Sequence, residues 1–238
     1  YNLKIFWDKK ASNYDAEFGT SLITRYIRNK NISILKKYFN KNDSLLEIGC
    51  GTGIEALELQ KFVKNILAID ISEKMIAQSL IKSFDYGTTN ITFKVISAEN
   101  IDSLSGCNFT GAYSSFGVVN CINDLNLFAQ NISGIIPKNG YFITSIMNKY
   151  CFFEMIYFLL KLDFKNIIRR FKSNPVKIIN NSIEILCYYW TVKTFYKYFK
   201  KYFNIEKIIA LPIVLPINKK IINNKVTIFL DNFFSVFY

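Results

Sequence analysis

The stretch "LLEIGCGTG", Leu45 to Gly53, sets three glycines at alternate positions between an apolar run and a helix-forming one. Gly49, Gly51 and Gly53 admit dihedrals closed to other residues, and a chain without Cβ atoms lets a ligand lie against the main chain. What surrounds the turn narrows the choice of ligand. A phosphate-binding loop needs G-x-x-x-x-G-K-[ST], and the chain has neither that spacing nor a lysine after Gly53. A dinucleotide turn wants G-x-G-x-x-G with an acid about 20 residues further on. Here Glu47 stands two residues before a G-x-G-x-G turn, and Asp70 closes the next apolar run, "LAIDIS". A carboxylate at Asp70 can accept both hydroxyls of a ribose in charge-assisted bonds. Taken alone, the turn is equally a tight strand-to-helix connection.

What the chain lacks bounds its other chemistry. There is no histidine, which removes serine-histidine triads, histidine metal sites and a histidine base. Any general base is then a carboxylate, a tyrosine or a lysine. The cysteines (Cys50, Cys107, Cys121, Cys151, Cys187) are scattered, odd in number and never in a C-x-x-C pair. That usage suits a reducing cytoplasm and argues against a disulfide framework or a structural zinc. The net charge of +12 admits a nucleic-acid or anionic-membrane partner. Its lysines are spread, however, through a chain rich in Lys, Asn, Ile, Phe and Tyr, as AT-biased coding would produce. Half the residues are apolar and 20% charged, the balance of a folded globular chain.

These residues need elements to position them. The 238 residues suit one domain with an elaboration. Residues 3–16 and 21–39 read as two helices, the second with Ile23, Ile27, Ile34 and Tyr38 as its apolar stripe and Arg25, Arg28, Lys36 and Lys37 off it. Strand-like runs then alternate with helical ones: "SLLEIG", "NILAID", "ITFKVIS", "GAYSSF" and "GYFITSIM". Such alternation predicts a parallel α/β sheet with crossover helices. After residue 147 the rhythm changes. A helical aromatic and basic stretch (150–172) leads to a hairpin turning at Asn180-Asn181, a helix (191–202) and a strand, "IEKIIALPIVL". The expected layout is one domain: lid helices over 1–40, a core over 41–147, an inserted cap over 148–190, and a helix and strand over 191–238. The longest apolar runs, "CFFEMIYFLL" and "IIALPIVLPI", are about half the ~20 residues of a membrane span. No face combines a continuous apolar stripe with clustered cations, so membrane association is expected to be weak. The chain opens at Tyr1 without Met and without a signal peptide, so its natural start is expected upstream.

An acid, a G-x-G-x-G turn and a second acid closing the following strand resemble motif one of the class I S-adenosylmethionine-dependent methyltransferases. The resemblance runs over most of the chain and implies a Rossmann-like, doubly wound, mostly parallel sheet of the seven-stranded type, with helices on both faces. It places Glu47, Gly49, Cys50, Gly51, Gly53 and Asp70 at the cofactor, S-adenosyl-L-methionine, with S-adenosyl-L-homocysteine as product. "FWDKKASNYDAEF" resembles the N-terminal helix of the small-molecule branch, which puts Tyr14 over the cofactor. "ISEKM" supplies Ile71 and Met75 to flank the adenine, and "SAEN" supplies Ala98 and Glu99. "GAYSSFGVVNCINDL" is similar to the fourth strand and its loop, where methyl and acceptor meet, with Ser115 on the cofactor side. The usual Asp at the start of that strand is replaced by Thr110 and Gly111. Lys138-Asn139-Gly140 stands where Pro-Gly-Gly is usual. The resembling subgroup closes its sheet with a strand beyond the region of "LDNFFSVF", so on this resemblance the final strand is missing from a chain that stops at Tyr238.

Methyl transfer from a sulfonium is a direct displacement that needs alignment, exclusion of water and, for a neutral nucleophile, a base. It needs no metal, and none is expected. Candidates for the acceptor side are Tyr14, Asn120, Glu154, Arg169 and Arg170. Tyr14 either touches cofactor or packs as a helix aromatic; Asn120 either meets the acceptor or caps a loop. Glu154 interrupts an apolar helical face, which fits a base, a buried partner or a solvated position. Arg169 and Arg170 are adjacent, so on a helix they diverge by ~100° and at most one faces a pocket. Tyr188, Tyr189 and Trp190 either wall the acceptor site or are core. The resulting expectation is a cytoplasmic methyltransferase for a small molecule or biosynthetic precursor, including an anionic phosphate or carboxylate oxygen. A lipid-like or quinone acceptor at a membrane surface is the alternative, and a non-catalytic cofactor-binding scaffold is another. Nucleic acid is not expected as a partner, since neither an Asn-Pro-Pro-Tyr motif nor a Pro-Cys nucleophile follows the fourth strand.

Overall fold

The computed structural model describes residues 2–18, 22–171, 175–180 and 183–211. It opens with α1 (Asn2–Lys10), α2 (Tyr14–Phe18) and α3 (Leu22–Tyr38). The expected first helix is thus broken, by a 3₁₀ turn at Ala11–Asn13. The alternating segment follows as β1 (Ser44–Ile48), α4 (Ile54–Leu59), β2 (Asn65–Asp70), α5 (Glu73–Asp85), β3 (Ile91–Val95), β4 (Gly111–Ser114), α6 (Leu125–Ile135) and β5 (Tyr141–Thr144). All five apolar runs are strands. They lie in the order β3-β2-β1-β4-β5, every neighbouring pair parallel. β1 is central and buried from Leu45 to Ile48, the near-continuous apolar run of a strand covered on both faces.

Each face has its own core. Against one, α3, α4 and α5 pack Ile32, Leu35, Phe39, Leu59 and Ile76 onto Leu45, Ile66 and Tyr113. Against the other, α6 and the later α9 (Val192–Phe199) pack Phe128, Ile132 and Phe199 onto Leu46, Ile69 and Ala112. The winding reverses between β1 and β4, which leaves a crevice at their carboxyl ends, the usual ligand position in an open α/β sheet. The glycine turn opens into that crevice.

Three expectations are corrected. The buried stripe of α3 is Arg28, Ile32, Leu35 and Phe39, not the Ile27–Ile34–Tyr38 line, so the helix is rolled by about one residue and carries an arginine inward. The helical stretch after residue 150 is two helices, α7 (Phe152–Leu160) and α8 (Phe164–Ile167), split at Leu162 with φ +55°. The run expected as a strand from Ile205 has no sheet pairing as far as Leu211, and Ile205, Ile208 and Ile209 are exposed. A β-prone run becomes a strand only where an edge accepts it. Its remainder, with "LDNFFSVF", lies outside the described residues. The hairpin is present as antiparallel β6 (Val176–Asn180) and β7 (Ile183–Cys187); of its expected turn, Asn181 is outside the described residues.

Candidate cofactor and acceptor site

Gly49, Gly51 and Gly53 all have positive φ (73°, 54° and 78°), the region that favours glycine. Their reasons for lacking a side chain differ. A Cβ on Gly49 would meet Val118 Cγ2 at 2.3 Å, and one on Gly53 would meet Ser79 Cβ at 2.8 Å. Both glycines serve close packing. A Cβ on Gly51 would make only ordinary contact with the Tyr14 ring, 3.8 Å away. The middle glycine therefore brings the main chain of the turn close beneath the Tyr14 ring.

Asp70, at the carboxyl end of β2, organises this turn. Its Oδ2 accepts the Gly51 N–H at 2.8 Å and its Oδ1 accepts the Ser72 N–H at 2.9 Å. A carboxylate has about four acceptor positions, so two remain for a diol. Burial pushes the Asp70 carboxyl up, and the backbone N–H groups oppose that shift. Glu47 is 1% exposed, and its Oε2 has no hydrogen-bond partner among the described residues. Its register partner on β4, Tyr113, lies close enough to influence its proton but outside hydrogen-bond geometry. Burial and the Glu55 carboxylate hold the Glu47 carboxyl well above the usual range. A buried acid left without a partner is costly unless something else satisfies it. A cationic ligand would do so.

The lid is fastened over the turn by residues that the sequence did not announce. Asp15 accepts the Thr52 hydroxyl at 2.6 Å and pairs with Lys82, whose ammonium also donates to the Thr52 carbonyl at 3.2 Å. Asp8 accepts the Ser72 hydroxyl at 2.6 Å, which ties α1 to the N-cap of α5. Most telling is the ion pair of Arg28 on α3 with Glu55 in the first turn of α4, both buried. The guanidinium also lies 5.0 Å over the Phe116 ring. Burial raises the Glu55 carboxyl, and Arg28 restrains that shift. Burial and the same acids push the Tyr14 phenol up to about 12, so it stays a neutral hydroxyl. Asn31 donates to the Ser115 hydroxyl at 2.8 Å, which brings α3 to the end of β4.

The other expected cofactor residues line the same edge. Ile71 follows β2, and Met75 is buried beneath the first turn of α5. Ala98 is half-buried, and the exposed Glu99 accepts the backbone and side-chain N–H groups of Asn123 at 3.1 and 2.9 Å. Cys50 is buried and its thiol is pushed well up by burial and Glu47, so it is not a nucleophile.

On the acceptor side the candidates are engaged with one another or with backbone. Fully buried Asn120 donates to the carbonyls of Met147 (3.1 Å) and Tyr188, and accepts the Met147 N–H at 2.8 Å. Its amide clamps the end of β5 to the chain leaving β7. Both arginines reach one carboxylate: Arg169 Nε donates to Glu154 Oε1 at 2.6 Å, and Arg170 donates to Oε2. The two lie in a 3₁₀ turn, Arg170 buried and Arg169 half-exposed, and both side chains reach the same carboxylate. Burial works to raise the Glu154 carboxyl, but the two guanidinium groups outweigh it and hold the group below its usual range. It is thus an ionised strut and ill suited to take a proton. Arg170 also donates to the Asn148 carbonyl at 3.0 Å and lies 4.4 Å over the Tyr189 ring. Tyr188 and Trp190 stack at 5.7 Å, with Trp190 packed against the core. Buried donors remain without partners among the described residues at Thr144, Ser145, Arg170 Nε and Trp190 Nε1, where β5 ends and the cap returns.

A family model described as a methyltransferase domain matches residues 39–200. An uncharacterised protein of Methanocaldococcus jannaschii is 29% identical over 181 residues, 75% of this chain and 66% of that protein. The ubiquinone biosynthesis O-methyltransferase of Pelagibacter ubique is 24% identical over 148 residues, 60% of each chain. Among solved structures, a Listeria monocytogenes protein described as an S-adenosylmethionine-dependent methyltransferase superposes with TM-score 0.56 at 18% identity, covering 75% of this chain and 81% of that one. The chain spans less than two thirds of the length of the curated relatives it matches. The site and the fold define a class I S-adenosylmethionine-dependent methyltransferase architecture. The chain belongs to the methyltransferase-domain family.

Proposed function

We propose that the protein transfers a methyl group from S-adenosylmethionine to a small acceptor bound between the carboxyl ends of β4 and β5 and the cap of residues 148–190. The observation that carries this reading is the glycine turn held by Asp70 beneath Tyr14 at the reversal of the sheet's winding, with the buried Glu47 Oε2 unpartnered among the described residues on the strand that leads into it. These features fit the cofactor. The free acceptor positions of Asp70 suit a ribose diol, Glu47 and Glu55 suit an ammonium and a sulfonium, and Arg28 suits a carboxylate. Bound there, the cofactor supplies a sulfonium methyl open to in-line displacement. The chain's own residues do the rest: α1, α2 and α3 exclude water as a lid, Tyr14 covers the turn, and the cap orients the acceptor. Glu154, ionised and paired with both arginines, is not free to serve as a base.

An acceptor that is already an oxyanion needs no base, and we extend the proposal to an anionic phosphate or carboxylate oxygen. The unpartnered donors at Thr144, Ser145, Arg170 and Trp190 support this. Calorimetry with S-adenosylmethionine, followed by a screen of metabolite pools for S-adenosylhomocysteine release, tests it. Binding with release dependent on an anionic acceptor is expected. Absence of cofactor binding overturns the reading, and binding without turnover on any pool makes the protein a scaffold. A lipid-like or quinone acceptor remains a second reading, favoured by the apolar exposure of the cap.

A further inference from the structure

The tip of the α7–α8 hairpin reverses the usual sorting of side chains. Leu160, Leu162 and Phe164 are 80%, 75% and 62% exposed, and Ile156, Leu159 and Ile168 continue the face along both helices. Ile156, Leu159 and Leu160 follow the i, i+3, i+4 spacing of one helical face, and Phe164 and Ile168 follow i, i+4. The turn itself is built to present a leucine. Asp163 N–H donates to the Phe158 carbonyl and Leu162 N–H to the Leu159 carbonyl, both at 2.9 Å, the paired bonds of a helix-ending motif whose left-handed position is normally glycine. Here that position is Leu162, at φ +55°. Backbone strain is therefore spent on a large apolar side chain that packs on little.

The segment that carries the tip is cationic. Between Lys149 and Phe171 the sequence carries five cations (Lys149, Lys161, Lys165, Arg169, Arg170) against Glu154 and Asp163. Both acids are engaged: Glu154 by two arginines, Asp163 as N-cap of α8. Lys161, beside the tip, lies 4.6 Å over the Tyr157 ring. The sequence showed no such face because its parts lie on two helices and in the turn between them.

We propose that this tip docks on an anionic phospholipid surface, with the leucines and Phe164 at the headgroup–acyl boundary and Lys161 and Arg169 among the phosphates. Apolar side chains beside Lys161 on a segment of net positive charge suit that boundary, where insertion and attraction to anionic lipid add. A second copy is a poorer occupant, because a symmetric contact would set Lys161 against its counterpart. The proposal is independent of methyl transfer. Sedimentation of the full chain with vesicles of phosphatidylcholine containing about 30% phosphatidylglycerol tests it. The expected results are binding that weakens with salt and with removal of the anionic lipid. About tenfold weaker partition is expected for Leu160→Ser/Leu162→Asn/Phe164→Ser and for Lys161→Glu, with circular dichroism and cofactor binding unchanged. The asparagine tolerates the left-handed turn, so the variant keeps its fold. Wild-type chain left in the supernatant at low salt, or a folded triple variant that pellets equally, overturns the proposal. So does a wild-type dimer that the triple variant dissolves, which would assign the face to a second copy.

Discussion

The cofactor side and the cap both gather acids and an arginine, but they treat them in opposite ways. At the cofactor side Glu47 is buried with its Oε2 unpartnered among the described residues, and Gly51 lies beneath the Tyr14 ring. In the cap, Glu154 is held by both Arg169 and Arg170, and Asn120 is spent on backbone. A buried carboxyl oxygen without a partner is open to a ligand, whereas the two guanidinium groups on Glu154 tie it into the segment around it. On the proposed function, the first region meets the cofactor and the second maintains a wall.

The largest test falls on the buried pair Arg28–Glu55 of the cofactor side. Arg28→Ala would leave Glu55 buried and unopposed, a change of about 3–5 kcal/mol. A fall of that size in urea or thermal unfolding is expected; a loss under 1 kcal/mol would mean that Glu55 takes up a proton cheaply. Next is Asp70→Ala. It removes a carboxylate that holds the turn through Gly51 and Ser72, and the proposed charge-assisted bonds to the ribose are worth roughly 1.5–3 kcal/mol each. Calorimetry should show cofactor binding at least about tenfold weaker, and unchanged affinity would detach Asp70 from the ligand.

A pair of glycine variants divides packing from recognition within the same turn. Alanine at either position pays a left-handed backbone penalty of roughly 1–2 kcal/mol. Gly49→Ala adds a collision with Val118, while Gly51→Ala meets nothing closer than 3.8 Å. Gly49→Ala should therefore lower the melting temperature more, and Gly51→Ala should weaken cofactor binding more. Equal effects of both variants on both measurements would dissolve the distinction.

The sequence disclosed the cofactor side better than the cap, for a physical reason. Strand period, glycine spacing and an acid at a strand end are local patterns, and each of "SLLEIG" and "NILAID" carries its own geometry. Arg28 was hidden because it depended on which way α3 rolls, a choice made by Leu35 and Phe39 against the sheet. Signal existed in the spacing of Arg28, Ile32, Leu35 and Phe39, but the isoleucines at 23, 27 and 34 outweighed it by hydropathy. The meeting of Arg169 and Arg170 at one carboxylate was illegible, because it depends on how the chain after α8 folds back against α7.

The smallest expected effect decides what the cap is. Two guanidinium groups hold the Glu154 carboxyl below its unfolded value of 4.5, against the upward push of burial. A group depressed in the folded state contributes stability that is complete above the unfolded value and disappears as pH falls through the folded one. The cap should therefore stay closed at neutral pH and loosen below about 4.5, read as faster limited proteolysis near residues 150–171 and as a change in Trp190 emission. Glu154→Gln should flatten that acid response. At neutral pH it should raise the acceptor KM while kcat holds within a few-fold, because it releases both arginines without touching the reacting atoms. If Glu154 were instead the base, glutamine would lower kcat by about a hundredfold or more, and the acceptor KM would barely move. That second pattern would turn the strut into a catalytic residue and erase the contrast between the two regions.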